Sequence, residues 1–271
     1  MGGVIGSPWG NGEHMANREF TDDELLRYSR QIMLPQFDVA GQQRLAAARV
    51  LIVGLGGLGS PVALYLAGAG VGELVLADFD QVELTNLHRQ IAHTMADLGK
   101  LKVESARESI GAINPLVQVR TISEPLQDEL LVEQVGLVDV VVDCTDNFAT
   151  RFALNSACVA AGKPLISGAA IRMEGQISVF DTRQPQNPCY QCLYAHVDEE
   201  QLTCSEAGVM APLVGIVGSV QAMETIKVLT GLGEPLAGRL LLLDGMSLSW
   251  REFRIKRDPQ CSVCGERTAH Q

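Results

Sequence analysis

Apolar and polar positions change their period along this chain in an orderly way. β-branched runs at 50–53, 74–77, 117–122, 138–142 and 165–166 are separated by helical patterns at 61–69, 100–113, 129–134 and 150–161. Continuous apolar runs alternating with amphipathic stretches describe parallel strands buried on both faces and joined by crossover helices. The implied class is α/β, a doubly wound, mainly parallel, Rossmann-like sheet. After Gly175 the helices drop out between most apolar segments, QISVF, RLLLLDGM and SLSWREFRIKR, which predicts an antiparallel C-terminal extension of that sheet. Ahead of the first strand, TDDELLRYSRQIML pairs Thr21 with Glu24 in a capping-box pattern and predicts a helix, with a second over 39–48. The most apolar long segment, beginning at Gly208, is interrupted by Pro212, Gln221, Glu224 and Lys227 before about 20 residues accumulate, which predicts a core or interface helix and no membrane span.

The pattern divides the chain into an N-terminal extension, 1–19, read as flexible, and a single domain over 20–271. Within that domain the helices of 20–48 precede a nucleotide-binding unit over 49–174 and a C-terminal region over 175–271. A chain of 271 residues with 46% hydrophobic content can bury a core of that size. Its net charge of -11, with no basic run longer than REFRIKR, excludes a generic binder of nucleic acid or anionic membrane, so phosphate chemistry must rely on local cations. The first residues lack the charged start and apolar stretch of a signal peptide. The expected compartment is the reducing cytoplasm, where the seven cysteines weigh toward metal binding or catalysis and away from disulfides.

Candidate chemistry begins at VGLGGLGS, where Gly54, Gly56 and Gly59, with Gly57 between them, form G-x-G-x-x-G directly after a strand and before a helix. Such a turn lets backbone N–H groups approach a phosphate, and Asp78, ending the next strand, suits a ribose hydroxyl. The glycines alone leave open a redox dinucleotide or a reacting ATP. The next crossover carries Asp80, Asn86, Arg89, Gln90 and Lys102. Hydride transfer has no use for those cations, whereas attack at an α-phosphate must neutralise charge on the departing pyrophosphate. Read in isolation, Arg89 and Lys102 are also consistent with solvated helix charges. Asp146, in VVVDCTDNFATR, falls at the carboxyl edge of the sheet, where a carboxylate can hold Mg²⁺ or cap the following helix.

A second signal is CYQC answered by CSVC. Cys189, Cys192, Cys261 and Cys264 match a closed tetrahedral Zn²⁺ site that would staple the C-terminus to the domain, with redox chemistry of the C-x-x-C pairs as the competing reading. Cys144 and Cys158 fall on apolar elements and read as core, whereas Cys204 sits in the polar stretch DEEQLTCSEAG and reads as accessible.

Together RYSRQ, VLIVGLGGLGSP, DFDQVELTNLHRQ, DCTDN, SGAAIRMEGQISVF and EAGVMAPLVGIVGSVQAMETIK resemble the MoeB/ThiF family, the prokaryotic relatives of ubiquitin-activating enzymes, over residues 20–265. The resemblance implies a homodimer that binds ATP with Mg²⁺ and adenylates the C-terminal Gly-Gly carboxylate of a ubiquitin-fold sulfur carrier protein. It implies that Gly54 to Gly59 and Asp78 bind the nucleotide, with Asp80, Gln90 and Asn147 beside them. Asn86, Arg89 and Lys102 would hold the phosphates, Asp146 the magnesium, and Arg30 would act across the dimer. SGAAIRMEGQISVF favours the molybdopterin-synthase type of carrier, the thiamine-pathway type being the near alternative. The chain stops soon after the second cysteine pair, so a separate sulfur donor, a desulfurase or rhodanese-like protein, is expected. Thiamine-pathway relatives suggest a covalent role for Cys204, although Asp198, Glu199, Glu200 and Glu206 would raise its thiol pKa. Two other classes stay open: an NAD-dependent dehydrogenase and a zinc-stapled nucleotide scaffold without turnover.

Overall fold

Strand register sets the geometry of this molecule. In the computed structural model, which describes residues 19–194 and 208–265, eight strands form one sheet in the order β3-β2-β1-β4-β5-β6-β7-β8. β1 (Arg49–Val53), β2 (Glu73–Ala77), β3 (Gln118–Ile122), β4 (Val140–Asp143) and β5 (Leu165–Ile171) run parallel, and β6 (Glu174–Phe180), β7 (Arg239–Asp244) and β8 (Ser249–Arg254) add on antiparallel. Both halves of the sheet agree with the sequence pattern. Val53 pairs with Ala77 on one side and with Asp143 on the other. The carboxyl ends of β1, β2 and β4 are therefore level, and the three turns that leave them meet at one edge. β1 is also where the strand order reverses, the position at which doubly wound sheets bind ligands.

Alternation along β1 sorts its side chains into two cores. Val50 and Ile52 join one cluster with Leu66 of α3 (Gly59–Ala69), Val103 of α4 (Lys102–Ile113) and Leu45 of α2 (Asp38–Ala47). Leu51 and Val53 join the other with Leu131 of α5 (Asp128–Gly136) and Leu154 of α6 (Phe148–Ala161). α1 (Asp22–Ile32) packs on α2 and starts at the expected capping box: the Glu24 N–H donates to Thr21 Oγ1 at 3.3 Å, and the Thr21 N–H donates to Glu24 Oε2 at 2.9 Å. α3 begins at Gly59, two residues before the apolar pattern suggests, because Pro61 needs no N–H partner in a first helical turn. α7 (Tyr190–Leu193) is a single turn against α6.

α8 (Ala211–Thr230) is long and apolar enough to cross a membrane by length and composition, with mean hydropathy 1.3, but 61% of that window is buried inside the fold. It crosses the first core as expected. A Cβ on Gly218 would lie 2.5 Å from the Leu58 carbonyl oxygen, so the helix meets the start of α3 almost backbone to backbone. Gln221, fully buried, donates through Nε2 to the Asp143 carbonyl at 2.7 Å and fastens α8 to the end of β4.

The tightest of these approaches is at Gly59, where a Cβ would fall 1.9 Å from the Gly54 carbonyl oxygen. Gly59→Ala is expected to lose about 2–4 kcal/mol in urea unfolding, since backbone must shift to admit the methyl. Gly111→Ala, at an exposed α4 position where nothing lies within 4 Å of the added Cβ, should gain about 0.5–1 kcal/mol. Equal effects of the two substitutions would contradict this packing.

Candidate active site at the carboxyl edge of the sheet

The turn after β1 is built from glycines with different duties. Gly54 adopts φ 89°, a left-handed conformation that disfavours a side chain, and its N–H donates to the Ala77 carbonyl at 2.8 Å. Gly57 faces Val214 of α8, whose Cγ2 would lie 2.8 Å from an added Cβ. Gly56 is unlike them: the nearest atom to its missing Cβ is Gln90 Nε2 at 3.5 Å, on the wall of an open cleft. Gln90 is 3% exposed, and its Oε1 has no hydrogen-bond partner among the described residues. Open space beside a glycine and an unpaired buried acceptor are what a bound nucleotide would use. Gly59 serves helix packing and is not part of the cleft wall.

Asp78, at the end of β2, accepts the Leu55 N–H through Oδ2 at 2.7 Å and the Asp80 N–H through Oδ1 at 2.9 Å. Each oxygen keeps a second lone pair for a ligand hydroxyl. Burial raises its pKa, against the opposing charge of Lys102. Lys102 is 6% exposed and bonds Asp80 Oδ2 at 2.7 Å, so it is no solvated helix charge. Asn86 is buried in a 3₁₀ turn (Leu84–Asn86), where its Oδ1 accepts the Glu83 N–H at 3.2 Å. Arg89 is half-buried and donates to the Thr85 carbonyl at 2.9 Å and to His88 Nε2 at 3.0 Å. Arg89 also lines the cleft.

The turn after β4 supplies the facing wall. Asp146 is exposed there, and its alternative duty as helix cap falls to its neighbour: Asn147 Oδ1 accepts the Thr150 N–H at 2.9 Å and starts α6. That cap leaves the Asp146 carboxylate available to a cation. Beneath it lies a pair that the motif reading passed over. Asp143 is fully buried and accepts from Thr145 Oγ1 at 2.7 Å and Ser167 Oγ at 2.8 Å. The Arg151 guanidinium, 6% exposed, approaches it with Nε 3.8 Å from Oδ2 and donates to the Thr145 and Gly168 carbonyls. The signal was present in VVVD: a carboxylate ending a strand buried on both faces requires a buried partner.

These elements enclose a cleft of about 1410 Å³ lined by Gly54, Gly56, Gly57, Asp78, Asp80, Asn86, Arg89, Gln90, Lys102, Asp146 and Asn147. It continues along the antiparallel strands past Gln176 and Leu242 to Arg251. Arg30 is not on it. That residue is exposed on α1, where it lines a shallow hollow with Arg27, Tyr28 and Gln31. Cys204 lies outside the described residues.

Behind the cleft, the four paired cysteines form one cluster. Cys189 Sγ is 3.9 Å from Cys192 and 3.7 Å from Cys261, and Cys192 Sγ is 3.4 Å from Cys264, with all four ligand atoms within 4.8 Å of one another. Sulfur ligands about 2.3 Å from a tetrahedral zinc stand about 3.8 Å apart, so the set fits such an ion. Sulfurs of different pairs lie as close as sulfurs of one pair, unlike two separate redox dithiols. Burial pushes the Cys192 thiol up to about 11 and Cys189 higher still. Against burial, the N–H groups of Cys264 and Val263 hold Cys261 below its ordinary value. The Asn155 amide and the Asp258 N–H point at Cys189 and Cys192, at 3.6 and 3.4 Å. Cys144 and Cys158 are buried as expected, and Cys144 also borders the cleft.

Residues 28–263 match the model of the ThiF family. This chain belongs to the ThiF family. Among its relatives, the molybdopterin-synthase adenylyltransferase of Escherichia coli is 53% identical over 248 residues, 92% of this chain and 99% of that protein. The sulfur carrier protein ThiS adenylyltransferase of the same organism is 47% identical over 244 residues, 90% of this chain and 96% of that one. The solved structure of E. coli MccB with ATP superposes with a TM-score of 0.79 at 27% identity, over 94% of this chain and 77% of that one. The sheet and its flanking helices are accordingly shared architecture.

Proposed function

We propose that this ThiF-family chain is an ATP-dependent adenylyltransferase that acts on the C-terminal Gly-Gly carboxylate of a ubiquitin-fold sulfur carrier protein, of the type used by molybdopterin synthase. The observation that carries the proposal is the convergence, at the level ends of β1, β2 and β4, of a ligand-accepting glycine turn, the cations Arg89 and Lys102, and a free carboxylate at Asp146. Identity to the molybdopterin-synthase adenylyltransferase of E. coli supports the choice of carrier. A thiamine-pathway carrier is the second reading, supported by the 47% identity to the ThiS enzyme.

In this reading the nucleotide lies over Gly56 with its ribose toward Asp78. The carrier's carboxylate oxygen attacks the α-phosphorus, the bond to the β-phosphate's bridging oxygen breaks, and pyrophosphate leaves with the electron pair. A carboxylate is already ionised, so no general base is needed. Arg89 and Lys102 offset the charge on the leaving group and, with the turn, hold the reactants in line. Lys102 must share its ammonium between Asp80 and phosphate. A magnesium ion held by Asp146 would supply further charge neutralisation.

The test is carrier-dependent ATP–pyrophosphate exchange. Wild-type protein should exchange with a molybdopterin-type carrier, and Asp146→Ala should fall by at least about 100-fold with zinc content intact. No exchange with any Gly-Gly carrier, or reduction of a nicotinamide in its place, would overturn the proposal.

We further propose a homodimer in which Arg30 serves the neighbouring subunit. Leu26, Met33 and Leu34 are exposed on and beside α1, an apolar surface next to an arginine remote from its own cleft. An Arg30→Ala chain mixed with an Asp146→Ala chain should recover exchange, because one site of each mixed dimer holds both groups. A mixture shown to exchange subunits and still inactive removes the model.

The four-cysteine cluster is proposed to hold structural zinc, supplying a cross-link and no chemistry to the reaction. Elemental analysis should give about one zinc per chain, and Cys261→Ser should lower the unfolding temperature by several degrees. Metal-free protein of unchanged stability would be decisive against it.

A further inference from the structure

His93 belongs to no recognised motif and does not line the cleft, yet its ring joins the parts that do. It is 5% exposed, with Nε2 3.1 Å from the Leu55 carbonyl oxygen and Nδ1 2.8 Å from Ser105 Oγ on α4. A carbonyl oxygen can only accept, so Nε2 carries the proton. Burial, and then the charge of Lys102, lower the pKa of the imidazole. In the neutral ring Nδ1 is bare and accepts the Ser105 hydroxyl. The His93 backbone N–H donates to the Gln90 carbonyl at 3.1 Å, which joins the residue bearing the ring to the turn that carries Arg89 and Gln90.

Leu55 stands between Gly54 and Gly56. Its N–H goes to Asp78 and its carbonyl receives His93, with Ser60 Oγ approaching the same oxygen at 3.4 Å. Both peptide groups of Leu55 are held inward, so the turn cannot rotate toward Gly56 without breaking one of them. Ser105 is one helical turn from Lys102.

We propose that His93 is a positioning residue for the nucleotide: it locks the glycine turn, the Arg89–Gln90 segment and α4 into one arrangement before ATP arrives. It touches no reacting atom and moves no proton. The inference rests on the assignment of ATP to this cleft. Preorganisation of this kind lowers the ordering cost of binding, so its loss falls on the ligand that the arrangement receives. The carrier, which would approach along the antiparallel strands, does not depend on it.

Carrier-dependent exchange in folded, zinc-loaded protein tests this through two KM values. His93→Asn keeps an acceptor for Ser105 but cannot reach Leu55, and should raise KM for ATP about tenfold with KM for the carrier unchanged. His93→Gln, whose longer amide can still donate to Leu55, should stay within about threefold of wild type. If His93→Asn does not fold, Ser105→Ala frees the ring with one hydroxyl removed and should raise KM for ATP by about threefold. An unchanged ATP KM in the Asn variant or, failing that protein, in Ser105→Ala, equal effects of Asn and Gln, or a parallel rise in the carrier KM overturns the inference. Inactive wild-type protein would instead count against the function proposed above.

Discussion

The active edge depends on how closely α3 can begin behind β1. Gly59 sets only a hydrogen against the Gly54 carbonyl, and this approach turns the chain from strand to helix within six residues. With the turn so short, the start of α3 stays beside the ends of β2 and β4, so that Asp78 takes the Leu55 N–H and Cys144 packs against Gly54 and Gly59. α8 then closes over the junction, its own Gly218 allowing contact with Leu58. A methyl group at either position would push apart elements whose separation defines the cleft.

What the sequence made legible follows from this economy. Strands buried on both faces carry unbroken apolar runs, glycines that must be glycines stand at fixed spacing, and paired cysteines announce a cluster even across the 68 residues that separate the pairs. None of these signals requires knowledge of a distant neighbour. Arg151, Asp143 and His93 are different, because their meaning lies in partners brought together by the sheet: Asp143 with Ser167 across β4 and β5, and His93 with Leu55 from 38 residues away. Lys102, which in isolation is also consistent with a solvated helix charge, is buried beside Asp80 once β2 is in place. Asp146 and Asn147 are equally good capping residues in adjacent positions, and only the observed bond to Thr150 tells which one caps.

Gln221 shows how one residue can carry two messages. In the sequence it is a polar interruption that argues against a membrane span. In the fold its amide donates to the Asp143 carbonyl at 2.7 Å, with a longer approach of 3.5 Å to the Ile166 carbonyl. Its side chain also fills the space a Cβ at Gly168 would take. A buried amide among aliphatic neighbours is tolerable because its donor group is spent on backbone oxygens at the strand ends.

The cysteine cluster has a consequence for chain topology. Each cross-pair contact, Cys189 to Cys261 and Cys192 to Cys264, spans 72 positions. An ion gripping both pairs, as proposed above, would close α8, β7 and β8 into a ring. Closing a ring of that size in the denatured chain removes entropy equivalent to about 4 kcal/mol. The edge strand β8 has all six residues exposed and, among the described residues, only β7 as its neighbour in the sheet. Such a ring would hold the strand against fraying by confining the chain beyond it, without asking β8 to bury any of its six side chains.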